Sequence, residues 1–241
     1  MSAEGADRGL AVVTGAAGGL GTRIAERLGA DGFRLLLVDL DPGVAEVAAR
    51  LGAEAAVADL AGAEGVAAVD AAVAAAGGTL AALVNNAGIT RDARATDLSS
   101  EDFRLVIRVN LVAALRLALG LEQRFEDGGA LVNMSSRASL GNLGQTNYAS
   151  SKSGLVGVTR ALALRWAPRV RVNAVAPSLV DTPMTQAMPQ EVLGKLVSRI
   201  PAGRIGDPDD VAAMVSFLVT EQSAYVTGQV EYVCGGRSLA P

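Results

Sequence analysis

The sequence predicts an α/β fold in which one parallel sheet is covered by helices on both faces. Short apolar runs alternate along the chain with longer stretches of helical period. Within each run successive residues are apolar, as expected of strands that are buried on both faces of a sheet. Only 3% of the residues are aromatic, so closely packed alanine, valine, leucine and glycine must fill the core. The length of 241 residues suits one domain, 1–241.

Seven strands and six helices follow from this alternation. The predicted strands are Leu10–Val13, Arg34–Val38, Ala55–Ala58, Leu80–Val84, Ala130–Met134, Val170–Val175 and Val230–Val233. The predicted helices are Gly21–Ala30, Pro42–Leu51, Glu64–Ala76, Ser100–Phe125, Tyr148–Trp166 and Pro208–Val219. Strands that are separated by helices imply crossover connections, and therefore a parallel, doubly wound sheet.

Two segments lie outside the alternation. Residues 1–9 are polar and form a predicted flexible leader without an apolar signal core. Residues 183–206, which follow the sixth strand, contain three prolines and short helical patches. An insertion of this kind after a strand is a candidate mobile lid over a substrate, and we call residues 183–206 the lid segment.

Composition excludes several classes of function. The net charge is -4 and basic runs are absent, so we expect no nucleic-acid partner. The sequence contains no apolar run of membrane-spanning length, which predicts a soluble cytoplasmic protein without a membrane partner. Cys234 is the only cysteine and histidine is absent, so we expect neither an internal disulfide nor a metal site.

A glycine-rich turn, Thr14–Gly21, follows the first predicted strand and opens the first predicted helix. Such a turn lets the backbone approach a pyrophosphate and directs the N–H groups at the start of the helix toward its charge. The sequence therefore predicts a dinucleotide site. Its candidate contacts in this turn are Gly15, Gly18, Gly19, Leu20 and Gly21.

Asp39 and Leu40, at the end of the second predicted strand, indicate which dinucleotide binds. A carboxylate at this position accepts hydrogen bonds from the adenosine ribose and repels a 2′-phosphate. Neither Leu40 nor Gly18 supplies a compensating cation. We therefore expect NAD(H) to be favoured over NADP(H).

Tyr148 and Lys152 are the candidate proton-transfer groups in a chain without histidine. Residues four apart share a helix face, which would hold the ammonium beside the phenol. A phenol ordinarily ionises near pH ~10, so it exchanges protons at neutral pH only if a positive charge stabilises the phenolate. Ser135, at the end of an apolar run, offers a hydroxyl that could hold a substrate oxygen.

Further short segments match one known family in their order along the chain: Asp59-Leu60, Asn85–Gly88, Val109–Leu111, and Asn173–Pro177 followed by Thr182. Together with the glycine turn, Ser135, Tyr148 and Lys152, they resemble the short-chain dehydrogenases/reductases over nearly the whole chain. The resemblance implies a Rossmann-type three-layer sandwich with a central, mostly seven-stranded parallel sheet. Ser178 departs from the pattern, since the family usually has glycine there.

The resemblance also implies roles for these residues. The catalytic tetrad would be Asn110, Ser135, Tyr148 and Lys152. Further cofactor contacts would be Asp59, Leu60, Asn86, Ala87, Gly88, Tyr148, Lys152, Pro177, Val180 and Thr182. In ketone reduction Ser135 would hold the carbonyl oxygen and Tyr148 would donate the proton, and in alcohol oxidation Tyr148 would act as the base. Lys152 and the oxidised nicotinamide would lower the phenol pKa, and Asn110 would hold a water.

The substrate stays open between two classes. The segments 86–92, 144–148 and 203–206 resemble the 3-oxoacyl-carrier-protein reductase-like branch, which implies an acyl thioester. Asp39 argues for NAD, however, and Glu126-Asp127 would repel an acidic carrier. Arg169 is either a docking cation or an ordinary surface arginine. The other class is a small ketone or secondary alcohol, and a reductase of CoA-linked ketones is also compatible.

Six residues are candidates for substrate contact. Arg137 either binds a carboxylate or phosphate or forms a structural ion pair. The others would line an apolar pocket: Leu140, Leu143, Leu179, Met184 and Met188.

Two further hypotheses concern the whole protein. A non-catalytic dinucleotide-binding sensor would be expected to lose a member of the tetrad, yet all four positions are filled. The helices Ser100–Phe125 and Tyr148–Trp166 carry many apolar positions, which predicts an exposed interface. The alternative is that both helices bury these positions internally, which would leave a dimer or a monomer. These positions are Val106, Val109, Val112, Leu115, Leu119, Val156, Val158, Leu162 and Trp166. With a second interface at Gln229–Gly236, the resemblance implies a homotetramer.

Overall fold

One parallel sheet forms the centre of the computed structural model, which describes residues 7–186 and 188–239. Its strands are β1 (Leu10–Thr14), β2 (Arg34–Asp39), β3 (Glu54–Val57), β4 (Leu80–Asn85), β5 (Phe125–Met134), β6 (Val170–Pro177) and β7 (Val230–Val233). They are ordered β3-β2-β1-β4-β5-β6-β7 and every neighbouring pair is parallel. The predicted seven-stranded Rossmann-type sheet is confirmed.

Helices cover both faces of this sheet. They are α1 (Gly19–Ala30), α2 (Val44–Leu51), α3 (Gly65–Ala75), α4 (Ser100–Ile107), α5 (Ala113–Gly120), α6 (Thr146–Trp166), α7 (Pro183–Gln186), α8 (Gln190–Val197) and α9 (Pro208–Val219). Successive residues of one strand face opposite layers: Ala11 and Val13 pack with α1, α2 and α9, whereas Leu10 and Val12 pack with α3, α5 and α6. This two-sided burial explains why the strands are continuously apolar.

The order of the strands reverses between β1 and β4, because β1 pairs with β2 on one side and with β4 on the other. The chain therefore leaves these two strands in opposite directions and opens a crevice at their carboxyl ends. Ligands of doubly wound folds bind at such a switch point.

The predicted helix Ser100–Phe125 is wrong in two respects. A π-helical turn at Arg108–Val112 interrupts it, and the helical segment ends at Gly120. Strand β5 then begins at Phe125 rather than at Ala130. The guanidinium of Arg169 donates to Glu122 O and Phe125 O at 2.9 and 2.7 Å, which fixes this turn. The other predicted boundaries agree with the structure to within two residues.

The apolar positions expected to form an exposed interface fall into three groups by their exposure to solvent. Val106, Leu162 and Trp166 lie in the core of the chain, so their assignment to an exposed patch is wrong. Val112 and Leu119 are each 40% exposed, and the remaining four positions are half-buried.

The lid segment leaves the fold and returns to it at one place. Gly206 N donates to Leu179 O, and Asp181 N donates to Gly206 O, each at 2.9 Å. Helix α8, between these anchors, contains no buried residue. Within the lid segment Ala187 lies outside the described residues, as does the side chain of Met184.

Residues 1–6 of the predicted leader lie outside the described residues, whereas Arg8 N donates to Gly32 O at 3.1 Å. Among the described helices none is both long and apolar enough to cross a membrane. The described part of the chain also contains no group of three or more histidine, cysteine or acidic side chains arranged to hold a metal ion.

Candidate active site

The glycine turn after β1 is fastened to the end of β4. Asn86 Nδ2 donates to Thr14 O at 2.9 Å and to Gly15 O at 3.1 Å, and Thr14 Oγ1 accepts from the backbone of Asn86 and Ala87. Gly15 has φ +66°, and a Cβ atom there would stand 2.8 Å from Ala87 Cα. Only glycine fits this position, and the hydrogen bonds of Asn86 and Ala87 hold the turn in place.

The amino end of α1 is open toward the crevice. Gly18 is its N-cap and carries no capping side chain, and both Gly18 and Gly19 are exposed. The N–H groups of the first turn can therefore bind an anion. A Cβ atom at Gly19 would stand 3.2 Å from Pro183 Cδ, so the start of the lid segment lies against this turn. Leu20 packs on the core and Gly21 against the Gly15 carbonyl.

Asp39 stands at the carboxyl end of β2, beside the glycine turn. Its two carboxylate oxygens accept from Ala17 N at 2.9 Å and from Asp41 N at 3.0 Å. A carboxylate offers about four acceptor positions, so it can also accept from ribose hydroxyls. Leu40 is exposed, Asp59 is exposed at the end of β3, and Leu60 is buried behind it. The open helix end and this carboxylate fit the pyrophosphate and adenosine of a dinucleotide.

Lys152 lies on the buried face of α6, and only 3% of its surface is exposed. Its Nζ donates to Met134 O at 2.7 Å and lies 5.5 Å from the centroid of the Tyr148 ring. Burial lowers the Lys152 pKa from 10.5 to about 8. The ammonium can therefore gain and lose a proton close to neutral pH.

The two adjacent serines after β5 face different partners. The Ser135 hydroxyl donates to Lys152 O at 2.9 Å and is 3% exposed. Ser136, which is not among the predicted site residues, faces the Tyr148 phenol closely enough to lower its pKa, and its Oγ accepts from Ala138 N at 3.1 Å. The structure thus brings Ser136, rather than the expected Ser135, to the phenol.

The phenol of Tyr148 does not have the low pKa expected from its lysine neighbour. Burial raises its pKa above the ordinary 10.0, the hydrogen bond with Ser136 lowers it in part, and the carboxylate of Asp92 raises it further. The expectation that Lys152 lowers this pKa is not met in the structure, where the ammonium lies against the Met134 carbonyl. The phenol is therefore protonated at neutral pH.

Asn110 lies in the π-helical turn and is fully buried. Its amide accepts from Ile89 N at 2.8 Å and donates to Ile89 O at 2.9 Å, and it also donates to Ser151 Oγ. A Cβ atom at Gly88 would stand 3.2 Å from Asn110 Oδ1 and 3.4 Å from Lys152 Nζ. Asn110 thus fixes the loop after β4 beside Lys152 without contacting the ammonium directly.

Asp92 and Gln145 join the two loops that flank Tyr148. Gln145 Nε2 donates to Asp92 Oδ2 at 2.9 Å, and Ala93 N donates to Gly144 O at 3.0 Å. Asn147 Nδ2 adds a bond to Arg91 O at 2.8 Å. In the sequence these segments carry only the resemblance to the reductase-like branch. The available signal for these residues was their chemistry, since Asp92 supplies a carboxylate and Gln145 an amide in the two loops that flank Tyr148.

Of the predicted cofactor contacts after β6, Thr182 lies nearest the glycine turn in the contacts that the structure gives. Pro177 ends β6, Val180 is buried, and Val180 O accepts from Thr185 Oγ1 at 2.6 Å. Thr182 approaches Gly19. Among the described residues only glycines have positive φ, so Ser178 occupies the usual glycine position without that conformation.

The structure does not gather the predicted apolar substrate pocket. Leu140 and Leu143 are 56% and 98% exposed and do not line a closed pocket, so their contact with substrate stays a prediction. Leu179 borders a cavity of about 480 Å³ that α9 and β7 also line, away from Tyr148. Met188 is half-buried, and the Met184 side chain lies outside the described residues. Arg137, next to Ser136, forms no ion pair with the described residues.

Several known proteins are similar to this chain in sequence and in fold. A family model described as "Enoyl-(Acyl carrier protein) reductase" matches residues 15–238. The (2S)-[(R)-hydroxy(phenyl)methyl]succinyl-CoA dehydrogenase subunit BbsD of Thauera aromatica is 39% identical, with 95% of this chain and 96% of that protein covered. The 3-oxoacyl-[acyl-carrier-protein] reductase FabG of Thermotoga maritima is 46% identical, with 66% of each chain covered. The crystal structure of a short-chain dehydrogenase/reductase (glucose/ribitol dehydrogenase) from Brucella melitensis has a TM-score of 0.92 at 30% identity, covering 96% of this chain and 97% of that one.

The buried Lys152 predicts an unusual dependence of stability on pH. Its pKa is lower in the folded state, so the unfolded chain binds more protons between pH 8 and 10.5 and stability rises with pH in this window. In urea titrations without cofactor, the free energy of unfolding should rise from pH 7.5 to 10 by about 2 kcal/mol more in the wild type than in Lys152→Met. Equal rises in the two proteins would contradict the low pKa.

Proposed function

The chain belongs to the short-chain dehydrogenase/reductase family, and on that premise we propose that it interconverts a 3-oxoacyl thioester and its 3-hydroxyacyl form with NAD(H). The observation that carries this proposal is the constellation of Tyr148, Ser136 and Lys152. A phenol and a hydroxyl meet at the carboxyl edge of the sheet, and a buried ammonium lies beneath them. This is the equipment for moving one proton to or from an alcohol oxygen.

The protein's own groups divide this chemistry. Ser136 Oγ accepts from Ala138 N, so its hydrogen can be donated to the phenol oxygen and, when substrate is bound, to the substrate oxygen. Tyr148 donates its proton to that oxygen as negative charge develops, and takes it back in the oxidising direction. Lys152, with a pKa of about 8, would be the source of the proton that restores the phenol. The bound nicotinamide supplies or accepts the hydride.

The dinucleotide would be held along the crevice from β2 to β6. The open end of α1 would bind the pyrophosphate, Asp39 the adenosine ribose, and Lys152 the nicotinamide ribose. Asp59, Leu60, the segment 86–88, Pro177, Val180 and Thr182 complete the proposed contacts. A sensor without catalysis is disfavoured, since the phenol, the hydroxyl and the ammonium all lie together.

A CoA thioester is preferred over a carrier-bound substrate. The relative from Thauera aromatica is named for a CoA thioester and is covered almost completely. Arg169, the candidate docking cation, directs its guanidinium at Glu122 O and Phe125 O. Glu126 and Asp127 are exposed next to it and would repel an acidic carrier. Simple ketones and secondary alcohols are the second class of substrate.

The proposed assembly is a homotetramer. Val112 and Leu119 on the α4–α5 face remain partly exposed, and Leu164 on α6 is 85% exposed. Strand β7 lies at the edge of the sheet with half-buried side chains, which offers a second, separate surface. Two different twofold interfaces on one subunit close a tetramer.

The activity test is NADH oxidation with acetoacetyl-CoA, an acetoacetyl carrier protein, and a panel of simple ketones. We expect turnover to be fastest with acetoacetyl-CoA. Tyr148→Phe should reduce turnover by at least ~10² because it removes the proton donor but keeps the ring. Wild-type turnover in Tyr148→Phe would show that the proposed mechanism is wrong.

The adjacent serines provide a matched pair within this assay. Ser136→Ala should lower kcat strongly, since it removes the hydroxyl beside the phenol. Ser135→Ala removes only the bond to Lys152 O and should have the smaller effect on kcat. The reverse order would restore the role that the resemblance gave to Ser135.

The cofactor preference follows from Asp39. NADH should bind more tightly than NADPH, because a 2′-phosphate would face the carboxylate. Fluorescence titration measures both affinities, and Asp39→Ala combined with Leu40→Arg should shift the preference toward NADPH. Tighter binding of NADPH to the wild type would contradict the assignment.

Light scattering at micromolar concentration tests the assembly. The expected mass is near four chains. A monomer would contradict both proposed interfaces and would leave the catalytic proposal unaffected.

A further inference from the structure

Three arginines from separate parts of the chain lie close enough for their charges to act on one another, and one of them directly follows Ser136. Arg137 directly follows Ser136, Arg199 lies just after α8 in the lid segment, and Arg237 lies after β7. Arg199 N and Arg237 Nη1 both donate to Leu196 O at 3.2 Å, so the last turn of α8 joins two of them. The charges of Arg137 and Arg199 both act on Arg237.

Within residues 7–186 and 188–239 these arginines have no carboxylate partner within 4 Å. The ion pairs within 4 Å in the described residues involve other basic side chains, and none involves Arg137, Arg199 or Arg237. Arg137 Nη1 donates to Gly141 O at 3.3 Å, while its buried Nε has no hydrogen-bond partner among the described residues. A buried donor without a partner costs free energy unless a ligand accepts from it.

Their mutual repulsion is a second cost. Burial lowers the pKa of Arg237 first, and the neighbouring charges of Arg137 and Arg199 lower it further. Arginine nevertheless stays protonated at neutral pH, so the cluster keeps three positive charges. Guanidinium groups form paired hydrogen bonds with carboxylates and phosphates, which would offset the repulsion.

We propose that Arg137, Arg199 and Arg237 bind an oxyanion carried by the acyl thioester substrate. The oxyanion is either a carboxylate on the acyl chain or a phosphate of CoA, since both present the same acceptor geometry. This inference rests on the proposed function. Arg137 ties the oxyanion site to the reacting carbonyl through its neighbour Ser136, and Arg199 ties it to the lid segment. Binding of the oxyanion would therefore draw the lid segment toward the substrate.

The test compares kcat/KM for three thioesters with NADH. S-acetoacetyl-N-acetylcysteamine carries no anion, acetoacetyl-CoA adds phosphates, and the N-acetylcysteamine thioester of 3-oxoadipate adds a carboxylate. The wild type should prefer at least one anionic thioester over the neutral one by tenfold or more. Arg199→Gln and Arg237→Gln should each lower that preference at least tenfold. Loss of the preference for CoA assigns the phosphate, and loss of the preference for 3-oxoadipate assigns the carboxylate.

Two further variants control the comparison. Arg8→Gln removes an exposed arginine at the amino end of β1, opposite the site, and should keep the wild-type preference. Arg137→Lys keeps the positive charge but loses the planar guanidinium group. It should therefore lower the preference for an anionic thioester while the chain still folds. Arg199 is exposed, so its variant should fold even if the others do not.

Failure of this inference differs from failure of the proposed function. Turnover of all three thioesters with equal kcat/KM, or an unchanged preference in Arg199→Gln and Arg237→Gln, would overturn the oxyanion site alone. If no thioester is turned over, the proposed function fails, and calorimetric titration of CoA and of 3-hydroxyadipate then tests the cluster. Binding that weakens tenfold in Arg199→Gln supports the site, and absent or unchanged binding overturns it.

Discussion

The burial of one ammonium ion is the constraint on which the active site depends. Lys152 is 3% exposed, and its described side-chain hydrogen bond goes to a single backbone carbonyl. Water would hydrate this charge better than the protein does, which is why its pKa is low. Two neighbours position this side chain: Ser135 donates to the Lys152 carbonyl, and Gly88 leaves room for Nζ. Burial of the Lys152 ammonium thus costs free energy, and contacts elsewhere in the fold must offset this cost.

Much of the fold could be predicted because its signals are local. A strand buried on both faces is apolar at every position. The turn after β1 touches Ala87 at residue 15, so that residue must be glycine. The helix Ser100–Phe125 was predicted too long because the apolar period continues through the buried Leu121. Its end depends instead on Arg169, which is distant in sequence and holds the turn before β5. Long-range contacts of this kind leave no periodic pattern.

The choice between the two serines shows a second limit of sequence reasoning. Ser135 continues the register of β5, since its N–H donates to Val175 O at 2.8 Å, and Ser136 is also extended, with φ -163° and ψ 155°. Adjacent side chains of an extended segment point to opposite sides, so only one hydroxyl can face the phenol. The distance to Tyr148 along the chain does not determine which one. Likewise, the one-turn spacing of Tyr148 and Lys152 predicted their proximity but not the burial that sets both pKa values.

The anchoring of the lid segment at Val180 and Gly206 has a consequence for how such enzymes diversify. Because the excursion begins and ends at one paired position, it is an insertion whose length and sequence are independent of the register of the sheet. A replacement of different length changes mainly the entropy of closing a loop, which grows slowly with the number of residues. Residues 183–206 can therefore differ in length and sequence without moving the strand ends that position Ser136 and Tyr148.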